Sequence, residues 1–123
     1  MSNAVFVYGT LKRGFGNHIL LDNSESEFLG DAKTSPDFTM FSMGGFPGCS
    51  KIGSTEIVGE VYNVSDRVLE RLDSLEGHPE WYTRQRVLTT LGPAWMYLQK
   101  PEDMKNNEKV LSGVWEPYAK RVV

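Results

Sequence analysis

The sequence predicts an α+β fold: a small, mixed but mainly antiparallel, strongly curved β-sheet or barrel with short flanking helices. Two observations carry this expectation. Six or so runs are rich in β-forming residues, and only two short stretches have helical character. Closing such a sheet into a small barrel would also remove its exposed edges.

Ala4, Val5, Phe6, Val7 and Tyr8 form a continuous apolar run, the pattern of a strand buried on both faces. It stops at Gly9. Gly9-Thr10-Leu11-Lys12-Arg13-Gly14-Phe15-Gly16 reads as a glycine-rich loop, and Asn17 is placed to cap a short helix over His18, Ile19, Leu20 and Leu21. Strands are predicted over Glu27 to Lys33 and Phe38 to Met43, followed by a loop at Gly44-Gly45-Phe46-Pro47-Gly48. Phe46 is a large apolar side chain on that loop, expected to fold back over something. Ile57 to Val64 is a further strand, and Ser65 then caps a helix with Asp66 in its first turn. That helix ends near Glu76, because Gly77 supplies the stop and Pro79 forbids resumption. Tyr82 to Leu91 and Ala94 to Leu98 complete the strands, with Gly92-Pro93 read as a hairpin turn. Lys100 to Lys109 is polar enough for a solvated loop, and Val110 to Trp115 returns apolar residues to the body.

The 123 residues are expected to form a single domain, 1–123. With 40% hydrophobic and 24% charged residues, the disordered and collagen-like classes are excluded. Thirteen basic against sixteen acidic residues give a net charge of −3, so no global positive field exists to hold nucleic acid or an anionic membrane. No stretch approaches the roughly 18 apolar residues of a membrane span, and the start Met-Ser-Asn-Ala does not resemble a signal peptide. One cysteine, Cys49, cannot form an intrachain disulfide. A cytoplasmic protein is the expectation, and its oligomeric state is not legible.

On a helical wheel at about 100° per residue, Val68, Leu69, Leu72 and Leu75 share one arc of about 120°, which faces the core. Asp66, Glu70 and Asp73 fall outside it with Arg67, Arg71 and Ser74, as a solvated face. Glu76 falls inside the apolar arc, between Leu72 and Leu69. A carboxylate there loses hydration and meets the negative end of the helix dipole, and both effects raise its pKa. It is then poised to take and return a proton near neutral pH. The alternatives are that Glu76 frays out with the last turn, or that it pairs with Arg84 or Arg86.

A glycine loop after a buried strand presents backbone N–H groups suited to a phosphate, a carboxylate or a developing oxyanion. A P-loop is excluded, because Phe15-Gly16 stands where Lys and Ser/Thr are required. What remains is a nest of amides at Gly9, Thr10 and Leu11, flanked by Lys12 and Arg13, or else a tight turn with no ligand at all. His18 and His78 have no partners at metal-ligand spacing, so no metal is expected. Cys49 follows Gly48 on the predicted loop, and a cysteine nucleophile there has no supporting signature. Tyr8, Tyr62, Tyr82, Trp95 and Trp115 read as core, since no basic stripe accompanies them.

Tyr8-Gly9-Thr10-Leu11-Lys12-Arg13-Gly14 followed by Asn17-His18, and Leu72-Asp73-Ser74-Leu75-Glu76-Gly77 with Pro79, Tyr82 and Arg84 behind it, resemble the γ-glutamylcyclotransferase-like family, most closely its γ-glutamylamine cyclotransferase branch. Val58-Gly59-Glu60-Val61-Tyr62 and Ser112-Gly113-Val114-Trp115 extend the likeness over nearly the whole chain. Val114 departs from it, standing where family members often carry an acidic residue. The resemblance implies a small mixed β-barrel, a glutamyl-binding loop beginning at Tyr8, and a catalytic glutamate at Glu76. The implied reaction converts a γ-glutamyl amine into 5-oxoproline and a free amine, without metal or cofactor. Its partner is a small-molecule γ-glutamyl substrate. Tyr8, Gly9, Thr10 and Leu11 would bind that substrate, with Phe46 and Tyr82 as walls and Arg84 on substrate or on strand partners. A non-catalytic module binding a small anionic γ-glutamyl-like metabolite is the alternative.

Overall fold

The computed structural model describes residues 3–104 and 106–116. The apolar opening run becomes β1 (Asn3–Val7), with Val5, Phe6 and Val7 all buried. Its side chains alternate between two cores, as a pleated strand requires. Phe6 joins Met40, Ile57, Val61 and Met96 on one face, while Val5 and Val7 join Val64, Val68 and Leu72 on the other. This is the centre of a five-stranded sheet, and burial on both faces explains the uninterrupted apolar run.

The other strands are β2 (Ser26–Lys33), β3 (Phe38–Ser42), β4 (Pro47–Thr55), β5 (Val58–Val64), β6 (Thr83–Thr89), β7 (Gly92–Leu98) and β8 (Glu108–Lys109). The large sheet has the order β2-β5-β1-β7-β6, and a three-stranded sheet has the order β4-β3-β8. Among the described residues only the β1–β7 pair is parallel; the other ladders are antiparallel. The α+β class and the curved, mainly antiparallel sheet therefore hold, but the barrel does not close. The two edge strands of the large sheet meet only at the Thr34–Thr89 bridge, reinforced by Thr90 N–H donating to Lys33 O at 3.0 Å.

One helix, α1 (Asp66–Glu76), packs on the face of Val5 and Val7 through Val68, Leu69 and Leu72. Ser65 caps it, accepting from Val68 N–H at 3.2 Å. At its end Gly77 adopts a left-handed conformation, φ 66°, and His78 N–H reaches back to Asp73 O at 2.9 Å. A side chain at Gly77 would be strained there. Leu75 departs from the wheel: it is 38% exposed, since the last turn of α1 runs past the edge of the core.

Four local readings are corrected. Asn17 does not cap with its side chain; the short segment His18–Leu21 is a 3₁₀ turn. The chain turns at Thr90-Leu91, and Gly92 and Pro93 already belong to β7, paired with Thr89 and Leu88. Pro47 and Gly48 open β4, as a proline at the first position of a strand allows. The 100–109 stretch is anchored rather than simply solvated, because Met104 is fully buried and β8 pairs with β3.

Candidate functional site

Where β1 ends, a narrow cleft of about 30 Å³ opens between the two cores, lined by Phe6, Val7, Tyr8, Gly9, Thr10, Leu11, Pro47, Glu76, Tyr82 and Tyr97. The glycine loop is held around it by its own neighbours. Asn17 Nδ2 donates to Thr10 Oγ1 at 2.8 Å, and Asn17 N–H to Thr10 O at 3.0 Å. His18 Nδ1 lies 3.0 Å from Leu11 O, and a carbonyl can only accept, so this ring nitrogen carries the proton. Arg13 N–H donates to buried Glu60 at 3.0 Å. With the loop fixed on all sides, the N–H groups of Gly9, Thr10 and Leu11 enter no hydrogen bond among the described residues. Backbone donors away from water need partners, and these three residues line the cleft. Gly9 is required for closeness: a Cβ there would meet Pro47 Cγ at 2.7 Å.

Glu76 enters from the opposite wall. The chain reverses immediately after α1, with Trp81 N–H on Gly77 O at 2.9 Å and Tyr82 N–H on Glu76 O at 3.1 Å. That reversal sets Trp81 and Tyr82 beside the carboxyl group. The Glu76 carboxyl is partly buried and has no hydrogen-bond or ion-pair partner among the described residues. Loss of hydration pushes its pKa up to about 7.

The tyrosines around it are occupied. Tyr8 Oη donates to Tyr97 O at 2.6 Å, Tyr82 Oη to Pro47 O at 2.8 Å and Tyr97 Oη to Asp73 Oδ1 at 2.6 Å. Burial raises the pKa of each well above its ordinary value, so all three are neutral walls at physiological pH. Of the side chains lining the cleft, Glu76 alone titrates near neutrality. A second recess of about 160 Å³ opens outward, sharing Thr10, Glu76 and Tyr82 and adding Asn17, Phe46, Leu75 and Trp81.

The predicted residues Tyr8, Gly9, Thr10, Leu11, Tyr82 and Glu76 thus converge on one cleft, and Phe46 stands in the outer recess. Arg84 does not line either space. Its Nε donates to Asp73 Oδ1 of α1 at 2.8 Å and its guanidinium lies 4.4 Å from the ring centre of Trp95 on β7. Asp73 is correspondingly not on a solvated face: it is partly buried between Tyr97 and Arg84. Lys12 and Arg13 turn away from the cleft, Lys12 Nζ onto Trp115 O at 2.7 Å and Arg13 onto Glu60 and Asp31. Cys49 lies fully buried in β4 rather than on a loop, and burial pushes its thiol pKa well up, so the nucleophile reading fails. His18 and His78 are separately engaged, the latter through Nδ1 accepting from Arg84 N–H at 3.2 Å. Sequence reasoning missed Pro47, Tyr97, Leu75 and Trp81. The one signal available in the sequence was a large aromatic residue, Trp81, in the turn just behind Pro79.

An unpartnered acid across from main-chain donors in a tyrosine-walled cleft marks this as the candidate functional site. Residues 5–117 match the family described as "Gamma-glutamyl cyclotransferase, AIG2-like", and the chain belongs to that family. A Vibrio cholerae protein carrying the provisional name gamma-glutamylcyclotransferase is 37% identical over 115 residues, covering 94% of this chain and 96% of its own length. The gamma-glutamylcyclotransferase family protein YtfP of Escherichia coli is 35% identical over 112 residues, covering 90% of this chain and 94% of that protein. Among solved structures, an AIG2-like protein from Mus musculus superposes with a TM-score of 0.71 at 28% identity, covering 81% of this chain and 80% of that one. No helix among the described residues is long and apolar enough to cross a membrane.

Proposed function

We propose that the chain is a γ-glutamyl cyclotransferase that converts a γ-glutamyl amine into 5-oxoproline and the free amine, with Glu76 as general acid and base. The observation that carries this is the unpartnered carboxyl of Glu76, with a pKa of about 7, across the cleft from the unengaged amides of Gly9 to Leu11.

The substrate supplies its own nucleophile. Its α-amino nitrogen attacks the γ-carbonyl carbon, a carbon–nitrogen bond forms, and a five-membered ring closes. Such an amino group has a pKa of about 8 and is mostly protonated at neutral pH. Glu76 as carboxylate takes a proton from the ammonium and hands it to the departing nitrogen as the amide bond breaks. The extra proton left on the ring nitrogen follows the same route, so the amine leaves as its ammonium form. One side chain near pKa 7 serves both steps. The amides of Gly9, Thr10 and Leu11 supply donors for the glutamyl carboxylate or for the oxyanion. Holding the folded substrate with nitrogen against carbon contributes several kcal/mol, within the roughly 7–11 kcal/mol scale of well-oriented intramolecular reactions.

At about 30 Å³ the inner cleft has room for little more than a water molecule. The rest of the substrate therefore extends into the adjoining recess of about 160 Å³, which shares Thr10, Glu76 and Tyr82.

Incubation with a panel of γ-glutamyl amines should release 5-oxoproline in wild type and not in Glu76→Gln. Tight binding that raises the melting temperature without turnover would instead identify a binding module, and full activity in Glu76→Gln would remove Glu76 from the chemistry.

A further inference from the structure

The outer recess shares Glu76 with the inner cleft, so the group that takes a proton from Glu76 and departs has to lie between the two spaces. Its remaining walls are Phe46, Leu75 and Trp81, with Asn17 already committed to Thr10. Trp81 meets Phe46 edge to face at 5.6 Å between ring centres. Trp81 is 49% and Leu75 38% exposed, an uncovered apolar surface continuous with the site. No basic side chain among the described residues lines the recess: Arg84 is held by Asp73, and Lys12 and Arg13 face elsewhere.

We propose that this recess receives the body of the leaving amine and selects uncharged apolar amines, alkyl or aromatic, over amines carrying a carboxylate or a second ammonium group. This rests on the cyclotransferase reading of the same site. Three physical arguments set the class. The exposed faces of Trp81, Phe46 and Leu75 gain by being covered with apolar atoms. A carboxylate on the leaving group, as in a γ-glutamyl amino acid, meets no cation among the described residues lining the recess and lies near Glu76. A second ammonium group beside Glu76 would hold that carboxyl ionised, and so oppose the return of its proton to the departing nitrogen.

The test compares kcat/KM for the γ-glutamyl derivatives of methylamine, butylamine, benzylamine, 5-aminopentanoate and 1,4-diaminobutane. Butylamine and benzylamine derivatives are expected to exceed the methylamine derivative about tenfold or more, and to exceed both charged ones by at least as much. Trp81→Ala should collapse the butyl-over-methyl ratio toward one. Leu75→Lys, at an exposed position where folding is undemanding, should raise the 5-aminopentanoate derivative relative to the butyl derivative. 5-Oxoproline formed equally from all five compounds, or fastest from a charged one, leaves the enzyme standing and overturns this selectivity. No 5-oxoproline from any of them removes the cyclotransferase reading, and the proposal with it.

Discussion

Two acids near the end of α1, Asp73 and Glu76, sit three residues apart and have opposite fates. Asp73 accepts from Tyr97 Oη at 2.6 Å and Arg84 Nε at 2.8 Å, so its charge is matched on the spot. Glu76 faces tyrosines whose hydroxyls already donate elsewhere, and loss of hydration acts on it unopposed. One carboxylate ties α1 to β6 and β7, and the other is left chemically available. The prior commitments of the neighbours, more than burial alone, decide which of the two acids is left without a partner among the described residues.

The largest expected effect breaks the Glu76 side. Glu76→Gln keeps the shape and removes the proton carrier, and kcat with a γ-glutamyl amine should fall by about 10²–10⁴-fold. In wild type, kcat/KM should rise with pH along a one-proton limb near 7, as Glu76 ionises. A limb near 4.5 would mean that the carboxyl is hydrated when substrate arrives.

The same substitution has a stability signature. The folded-state pKa of Glu76 lies above its ordinary value of 4.5, so the folded protein prefers the protonated form. Below about pH 4.5 the carboxyl is neutral in both states and costs nothing. As pH rises toward 7 the folded state increasingly resists ionisation, and the penalty levels off above that at about 3 kcal/mol. Urea melts should therefore show Glu76→Gln matching wild type at pH 4 and exceeding it at pH 8. An equal gap at both values would assign the gain to packing.

What the sequence disclosed about this comparison follows a physical line. Glu76 was legible because helical periodicity, Ser65 and Gly77 fix α1 from local residues alone. β1 and the glycine loop were legible for the same reason. Asp73 and Arg84 were not, since their pairing joins α1 to β6 and no local pattern encodes it. β4 was hidden by its composition. Pro47, Gly48 and Gly53 are poor strand formers, but a Cβ at Gly48 would meet Met104 Sδ at 2.8 Å and one at Gly53 would meet Thr39 Oγ1 at 2.0 Å. Tertiary crowding selected those residues against propensity. Trp81 and Phe46 come together only through the two turns that follow α1 and β3.

Asp73→Ala breaks the other side. It leaves Tyr97 Oη and the Arg84 guanidinium without their shared acceptor, at a cost of about 2 kcal/mol. Because Tyr97 also lines the cleft, kcat/KM should drop, by about three- to tenfold. Asp73→Asn retains an accepting oxygen and should recover most of the stability. If Asp73→Asn were as destabilising as Asp73→Ala, the charge rather than the hydrogen bonds would be holding the turn.

Arg84→Met gives the smallest effect and sharpens the contrast most finely. Methionine keeps an apolar stem against Trp95 and removes the ion pair with Asp73, whose two side chains are 21% and 20% exposed. Partial exposure limits such a pair to about 1 kcal/mol, and added salt should shrink the difference from wild type further. If Arg84 serves only Asp73, KM for a γ-glutamyl amine stays within about twofold of wild type. A tenfold rise in KM at constant kcat would show instead that the guanidinium leaves Asp73 when substrate binds. The tidy division between a structural and a chemical acid on α1 would then hold only until substrate arrives.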